Sequence, residues 1–354
     1  MRNTRNSAKE TGLSRVPVWA WRALMLRLPE NAASRTRATS IDAVEYHLDI
    51  DYAGDGKRGH RLDVMVPHDA QGSLPVYIYF HGGGWTSGDK APLTRYCASQ
   101  ALEGMVVVNA NYRMAPGAQL SHMMQDGNHV LDWVVSTIAD FGGDPSRIVL
   151  GGDSAGGHIA ALLTASAFHP ELAKHYGIEP HVDRTNLLGL VQHCSIADFS
   201  VMFERGFVLS LNFLRMLLPE NGRGLHLRSA ARFMSPIEWL DSGFPPVFIT
   251  TSERDYFYRA NLNFIAALRN KAISVDTLIY ARNRVNTRHT WQQESKHPES
   301  QEVYRRLGDF VRRVAPRPVA AVAAVVAVLP ALVVEKLASS GVATVLPRLV
   351  PRTL

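Results

Sequence analysis

Five short runs of uninterrupted apolar residues constrain the fold of this chain more than any other feature. They are Pro75–Phe80 (PVYIYF), Met105–Tyr112 (MVVVNANY), Arg147–Gly152 (RIVLGG), Leu187–Cys194 (LLGLVQHC) and Pro245–Ser252 (PPVFITTS). A strand with one wet face alternates apolar and polar residues, whereas a strand buried on both faces does not. Helical patterns separate the runs at Gln125–Ile138, Gly157–Phe168 and Ala260–Arg269. Strand and helix in alternation predict an α/β fold, with a mostly parallel sheet covered by helices on both sides. Two earlier segments, Val44–Ala53 and His60–Pro67, alternate with period two around the turn sequence Gly54–Gly59. They predict a leading antiparallel pair, which makes the sheet mixed.

The chain divides into three expected regions. Residues 1–40 form an N-terminal segment, disordered at first and then helical over Val16–Leu28, where Pro29 stops the pattern. Residues 41–314 form the α/β domain. Within it, 199–236 is too long for a connection and rich in Phe, Leu and Met, so it reads as a helical cap. Residues 315–354 are an apolar tail. Its run Val319–Val334 falls short of the roughly 20 residues needed to cross a bilayer and is broken by Pro330, which favours a docked helix and peripheral membrane contact over a span. The first fifteen residues lack the apolar core of a secretory signal, so a cytoplasmic, partly membrane-associated protein is expected.

Charge and cysteine content exclude some function classes. The net charge of +6 is spread over many arginines, with one cluster at Arg305, Arg306, Arg312, Arg313 and Arg317. Diffuse basicity of this kind predicts no nucleic-acid partner, and anionic lipid is the better match for the tail. Two cysteines, Cys97 and Cys194, allow neither a disulfide framework nor a multi-cysteine zinc site.

The chemistry centres on Leu150–Leu163, LGGDSAGGHIAALL. Ser154 lies in a G-x-S-x-G pattern between a strand and a helix, the context in which a sharp turn lifts a serine hydroxyl to the top of a sheet. A serine needs a base to become nucleophilic, and the base needs an acid to orient it. On this scaffold the chain order is Ser, then Asp or Glu, then His. Asp255 follows the run ending at Ser252, and His289 follows the strand candidate Thr277–Ala281 by a loop. Glu253 and Asp198 compete for the acid and His297 for the base, whereas Asp276 sits at the wrong end of a strand. The sequence FHGGGW (Phe80–Trp85) supplies backbone N–H groups for a developing oxyanion. Gly82 and Gly83 are the candidate donors there, Ala155 adds a third, and His81 braces the loop.

Taken together, HGGGW, NYRMAP, DFGGDPSRIVLGGDSAGGHIAALL and HTW resemble the hormone-sensitive-lipase-like branch of the α/β-hydrolases over about Pro75–Val311. The resemblance implies a mixed eight-stranded sheet with a helical cap, formed in part by the N-terminal segment. It implies hydrolysis of a small-molecule carboxylic ester by a carboxylesterase or lipase without metal or cofactor, and the apolar cap favours acyl chains of short to medium length. It assigns Ser154, Asp255 and His289 as triad, Gly82, Gly83 and Ala155 as oxyanion hole, and Arg113–Asp126 as a buried structural pair. Arylformamidase-like amide hydrolysis and a non-catalytic small-molecule receptor are the alternatives. APGAQLSH and the basic loop ARNRVNTRHTW depart from the family pattern at the pocket edge, and the tail lies outside that pattern.

Overall fold

The computed structural model describes residues 40–203, 217–218 and 227–317. The strands, in chain order, are β1 (Val44–Asp51), β2 (Arg61–Pro67), β3 (Leu74–Phe80), β4 (Val106–Ala110), β5 (Gly143–Asp153), β6 (Leu187–His193), β7 (Val247–Ser252) and β8 (Val275–Tyr280). The helices are α1 (Thr94–Ala101), α2 (Leu120–Thr137), α3 (Ser154–Phe168), α4 (Pro170–Tyr176), α5 (Leu227–Met234), α6 (Tyr258–Asn270) and α7 (Pro298–Val314). One eight-stranded sheet runs β1-β2-β4-β3-β5-β6-β7-β8. β1 pairs antiparallel with β2, β2 pairs antiparallel with β4, and every other pairing is parallel.

The apolar runs lie where their composition requires. All residues of β3, β4 and β7 are buried, and β5 is buried from Ile148 onward. The edge strands β1 and β8 are partly wet. One core layer holds Val76, Ile78, Phe80, Val108 and Leu150. The opposite layer holds Tyr77, Tyr79, Val107, Val149 and Phe248, as expected of strands whose alternate residues face opposite sides. Fully burying an aliphatic side chain of this size contributes about 1.5–3 kcal/mol, so the central strands anchor the molecule.

Register brings the functional loops to one edge. Phe80 pairs with Gly152, Asp153 with His193, His193 with Thr250, and Ser252 with Tyr280. The carboxyl ends of β3, β5, β6, β7 and β8 therefore lie in a row. The chain moves outward from β3 to β4 and then crosses back to β5. Open parallel sheets hold their ligands at such a reversal of strand order.

The helix expected at Gln125 starts earlier, at Leu120. The Gln119 side chain accepts the His122 N–H, and the His122 side chain accepts the Gln119 N–H, closing a capping box. Of the expected cap, the described ends are helical: a single 3₁₀ segment over Phe199–Phe203 and α5. Residues 204–216 and 219–226, the segment 1–39 and the tail beyond Arg317 lie outside the described residues. Among the described residues no helix is long and apolar enough to cross a membrane.

Candidate active site

Ser154 opens α3 directly from the last residue of β5 and has φ of 50°. A non-glycine residue in that left-handed region is strained, at a typical cost of about 1–3 kcal/mol. The elbow is tight enough to exclude side chains around it: a Cβ on Gly156 would lie 2.0 Å from the Phe80 carbonyl oxygen. The serine is thus fixed above the sheet at the positive end of a 15-residue helix.

The acid and base arrive on two loops that are sewn together. Asp255 follows β7, and His289 lies in the loop after β8. Glu253 N–H donates to Tyr280 O at 3.0 Å, and Arg254 Nε donates to Arg282 O at 2.7 Å. Ser252 Oγ donates to the Thr287 carbonyl. The result is a continuous chain of contacts. His289 Nδ1 lies 2.7 Å from Asp255 Oδ1, and His289 Nε2 lies 3.0 Å from Ser154 Oγ. Because an ionised carboxylate only accepts, Nδ1 carries the hydrogen, which leaves Nε2 to accept from the serine hydroxyl. The Asp255 side chain is fully buried and also accepts from Thr251 Oγ1 at 2.9 Å and Phe257 N–H at 3.2 Å. The Tyr256 ring, 75% exposed, lies 5.0 Å from the imidazole.

The competitors are engaged elsewhere. Glu253 is exposed and accepts the Arg282 N–H. Asp198 accepts from Ser200 N–H and Asn263 Nδ2. Asp276 pairs with Arg313 on the surface, and His297 occupies the N-cap position of α7, where its backbone carbonyl accepts from the Ser300 and Gln301 N–H groups. Arg113 and Asp126 form the ion pair expected of them, joined by His60 Nε2 at 3.2 Å from Asp126 Oδ1.

In the glycine loop the structure departs from the sequence expectation. The Gly82 N–H does not face the site: it donates to Asp153 Oδ1 at 2.9 Å. Gly83 has φ of 122°, and a Cβ there would meet the Ser87 carbonyl oxygen at 2.0 Å, so this turn admits only glycine. No acceptor engages the N–H groups of Gly83 and Gly84 among the described residues. Ala155 N–H is a first-turn donor without an intrahelical acceptor. The Gly82 N–H is thereby occupied by Asp153, while those of Gly83 and Gly84 are left unengaged among the described residues. His81 braces the loop as expected, stacked on Tyr112 at 4.6 Å with Nδ1 donating to Gly82 O at 2.7 Å.

Sequence reasoning missed two supports, Asp153 and His158, and one neighbouring thiol, Cys194. Asp153 is fully buried and also accepts from Tyr79 OH at 2.5 Å. Burial raises its carboxyl above the usual range, opposed by those hydrogen bonds. His158 accepts from Trp85 Nε1 at 3.2 Å through Nδ1 and donates through Nε2 to Met234 O at 2.7 Å, clipping the end of α5 to α3. Burial lowers its pKa to about 4. Cys194, at the end of β6, has φ of 50° and lies against Asp255 and His289. An open depression of about 600 Å³, lined by Ser166, Pro170, Lys174 and Val182, lies toward the other end of α3 and holds none of these groups.

Residues 62–261 match the family model described as BD-FAE. The chain belongs to the BD-FAE family. The matched stretch contains Ser154 and Asp255 and ends before His289. Among curated proteins, this BD-FAE chain is 33% identical to carboxylesterase NlhH of Mycobacterium tuberculosis, over 57% of its own length and 62% of that protein. It is 30% identical to esterase LipQ of the same organism, over 66% of its length and 54% of that protein. The chain thus matches little more than half the length of these relatives. Among solved structures, esterase B of Lactobacillus rhamnosis superposes with a TM-score of 0.72 at 21% identity, over 84% of this chain and 93% of that one. A bacterial heroin esterase superposes with a TM-score of 0.63 at 21% identity, over 82% and 93%. The fold is that of the α/β-hydrolases, as the motifs implied.

Proposed function

We propose that this protein hydrolyses carboxylic esters of short to medium acyl length through an acyl-enzyme on Ser154. The observation that carries the reading is the unbroken contact from the strained Ser154 through His289 to the buried Asp255. His289 Nε2 takes the Ser154 proton as Oγ attacks the ester carbonyl. The oxyanion is held by the N–H groups of Gly83, Gly84 and Ala155, donors whose individual loss typically costs about 3 kcal/mol. The imidazolium then passes its proton to the leaving alcohol, and the acyl-enzyme remains. Water attacks it with His289 again as base, releasing the acid. Asp255 holds the imidazole tautomer and stabilises its charged form. The curated relatives named as esterases point the same way. Peripheral contact of the apolar tail with membranes belongs to the same proposal. Liposome flotation of the full chain against one ending at Pro316 tests that part.

The test of the activity is a panel of p-nitrophenyl esters of increasing acyl length, run beside a formanilide. The reading expects ester turnover that peaks at short or medium chains and is lost in Ser154→Ala. Faster formanilide than ester turnover would shift the assignment to amide hydrolysis. Absence of turnover on both would leave a receptor.

A further inference from the structure

Among the described residues at this site, Cys194 is a chemistry-bearing group that ester hydrolysis does not use. Its sulfur, a carboxylate oxygen of Asp255 and a ring nitrogen of His289 all lie within 4.8 Å of one another. Cys194 is fully buried, the Asp255 side chain is buried, and the His289 side chain is 20% exposed. The left-handed conformation of Cys194 and its N–H donation to Thr250 O at 2.9 Å fix the backbone that carries the sulfur. Three donors of different type, from β6, the β7 loop and the β8 loop, therefore meet at one point behind the imidazole.

We propose that Cys194, Asp255 and His289 form an inhibitory site for a thiophilic divalent cation of the zinc or cadmium class. The inference rests on the triad reading for its consequence, though not for binding itself. The donor set is the one such ions select: thiolate, imidazole and carboxylate. Zinc bonds of about 2.0–2.3 Å place tetrahedral ligand atoms about 3.5 Å apart, so the three groups need shifts of roughly an ångström. Most of that shift is an opening of the 2.7 Å contact between His289 Nδ1 and Asp255 Oδ1. One thiolate and one carboxylate neutralise the ion, so no net charge is left in a dry place.

The proton balance explains why binding would inhibit. The S–H bond of Cys194 breaks and its proton leaves to solvent as the metal–sulfur bond forms. The metal takes the Nδ1 lone pair, and the hydrogen formerly on Nδ1 moves to Nε2. An Nε2–H cannot accept the Ser154 proton, and Asp255 no longer orients the ring. The ion enters along the exposed edge of His289 and leaves when chelated.

Cadmium is the probe, because its bond to a thiolate gives an ultraviolet charge-transfer band. Titration of Ser154→Ala, which needs no activity, should show one band per chain. The band should persist with Cys97→Ala added and vanish with Cys194→Ser added. Cys194→Ser keeps a hydroxyl beside Asp255, and its thermal melt checks that the chain is folded. With active protein, cadmium or zinc should lower ester turnover by about 10²-fold or more, the worth of a general base, and EDTA should restore it. Ester turnover by Cys194→Ser should resist the metal. Absence of the band, or its survival in Cys194→Ser, overturns the site. A band without inhibition overturns its inhibitory role. A band on a chain with no esterase activity leaves the metal site standing and removes the hydrolase reading instead.

Discussion

Replacing Asp153 tests whether the glycine loop is held by the residue that precedes the nucleophile. Its Oδ1 accepts from Tyr79 OH at 2.5 Å and Gly82 N–H at 2.9 Å, all three groups lying within the protein. Asp153→Ala removes the acceptor and strands two buried donors. Each such orphan costs about 1–3 kcal/mol, or about 2–6 kcal/mol together. The lower half of that range is expected, because burial already disfavours the charged carboxylate. Gly82 would then release Gly83 and Gly84 from their aim. Losing one oxyanion donor is worth about 10²–10³ in kcat. Asp153→Asn keeps an oxygen in the same position, so it should keep both contacts and most of the activity. Denaturant unfolding reads the stability, and p-nitrophenyl butyrate kinetics read the site. Asp153→Ala within threefold of the wild type, or Asn as damaging as Ala, would refute the reasoning.

Other outcomes follow from the same contacts. His158 and His193 are fully buried, with pKa values lowered by burial to about 4 and about 3. Both fold as neutral rings, so their contribution is present above the unfolded value near 6.5 and is lost as pH falls toward the folded values. Unfolding free energy should therefore drop by about 1.4 kcal/mol per pH unit per histidine between pH 6 and 4, and denaturant midpoints for His193→Gln should lose part of that slope. Gly156→Ala should abolish turnover, since its Cβ meets the Phe80 carbonyl at 2.0 Å, and folded protein with normal kcat would contradict the elbow. Thr251→Val removes a hydroxyl that donates to Asp255 at 2.9 Å. A hydrogen bond to a charged group is worth about 1.5–3 kcal/mol, so kcat/KM should fall by about tenfold or more with KM little changed.

The parts of the fold and site that were legible in the sequence share a physical reason. Two-face burial writes itself as continuous apolar runs, so β3 to β7 could be read directly. Ser154 could be found because its strand–turn–helix setting is local. Asp255 and His289 could be found because each follows a strand end. What could not be read depends on contacts between distant residues. Asp153 meets Gly82 and Tyr79 across more than seventy residues, and nothing in HGGGW tells which N–H turns inward. For that reason the sequence offers Gly82 as a donor without showing that its N–H is taken by Asp153. Cys194 was silent because a lone thiol between apolar residues looks like core, and only the pairing of β6 with β7 brings it to Asp255.

The central claim is that Ser154 is a nucleophile made reactive by His289. A fluorophosphonate probe followed by peptide mass mapping tests it most directly. One adduct per chain on Ser154, absent from Ser154→Ala and slowed in His289→Ala, is the predicted result. Labelling of another residue, or undiminished labelling of Ser154→Ala, would contradict it.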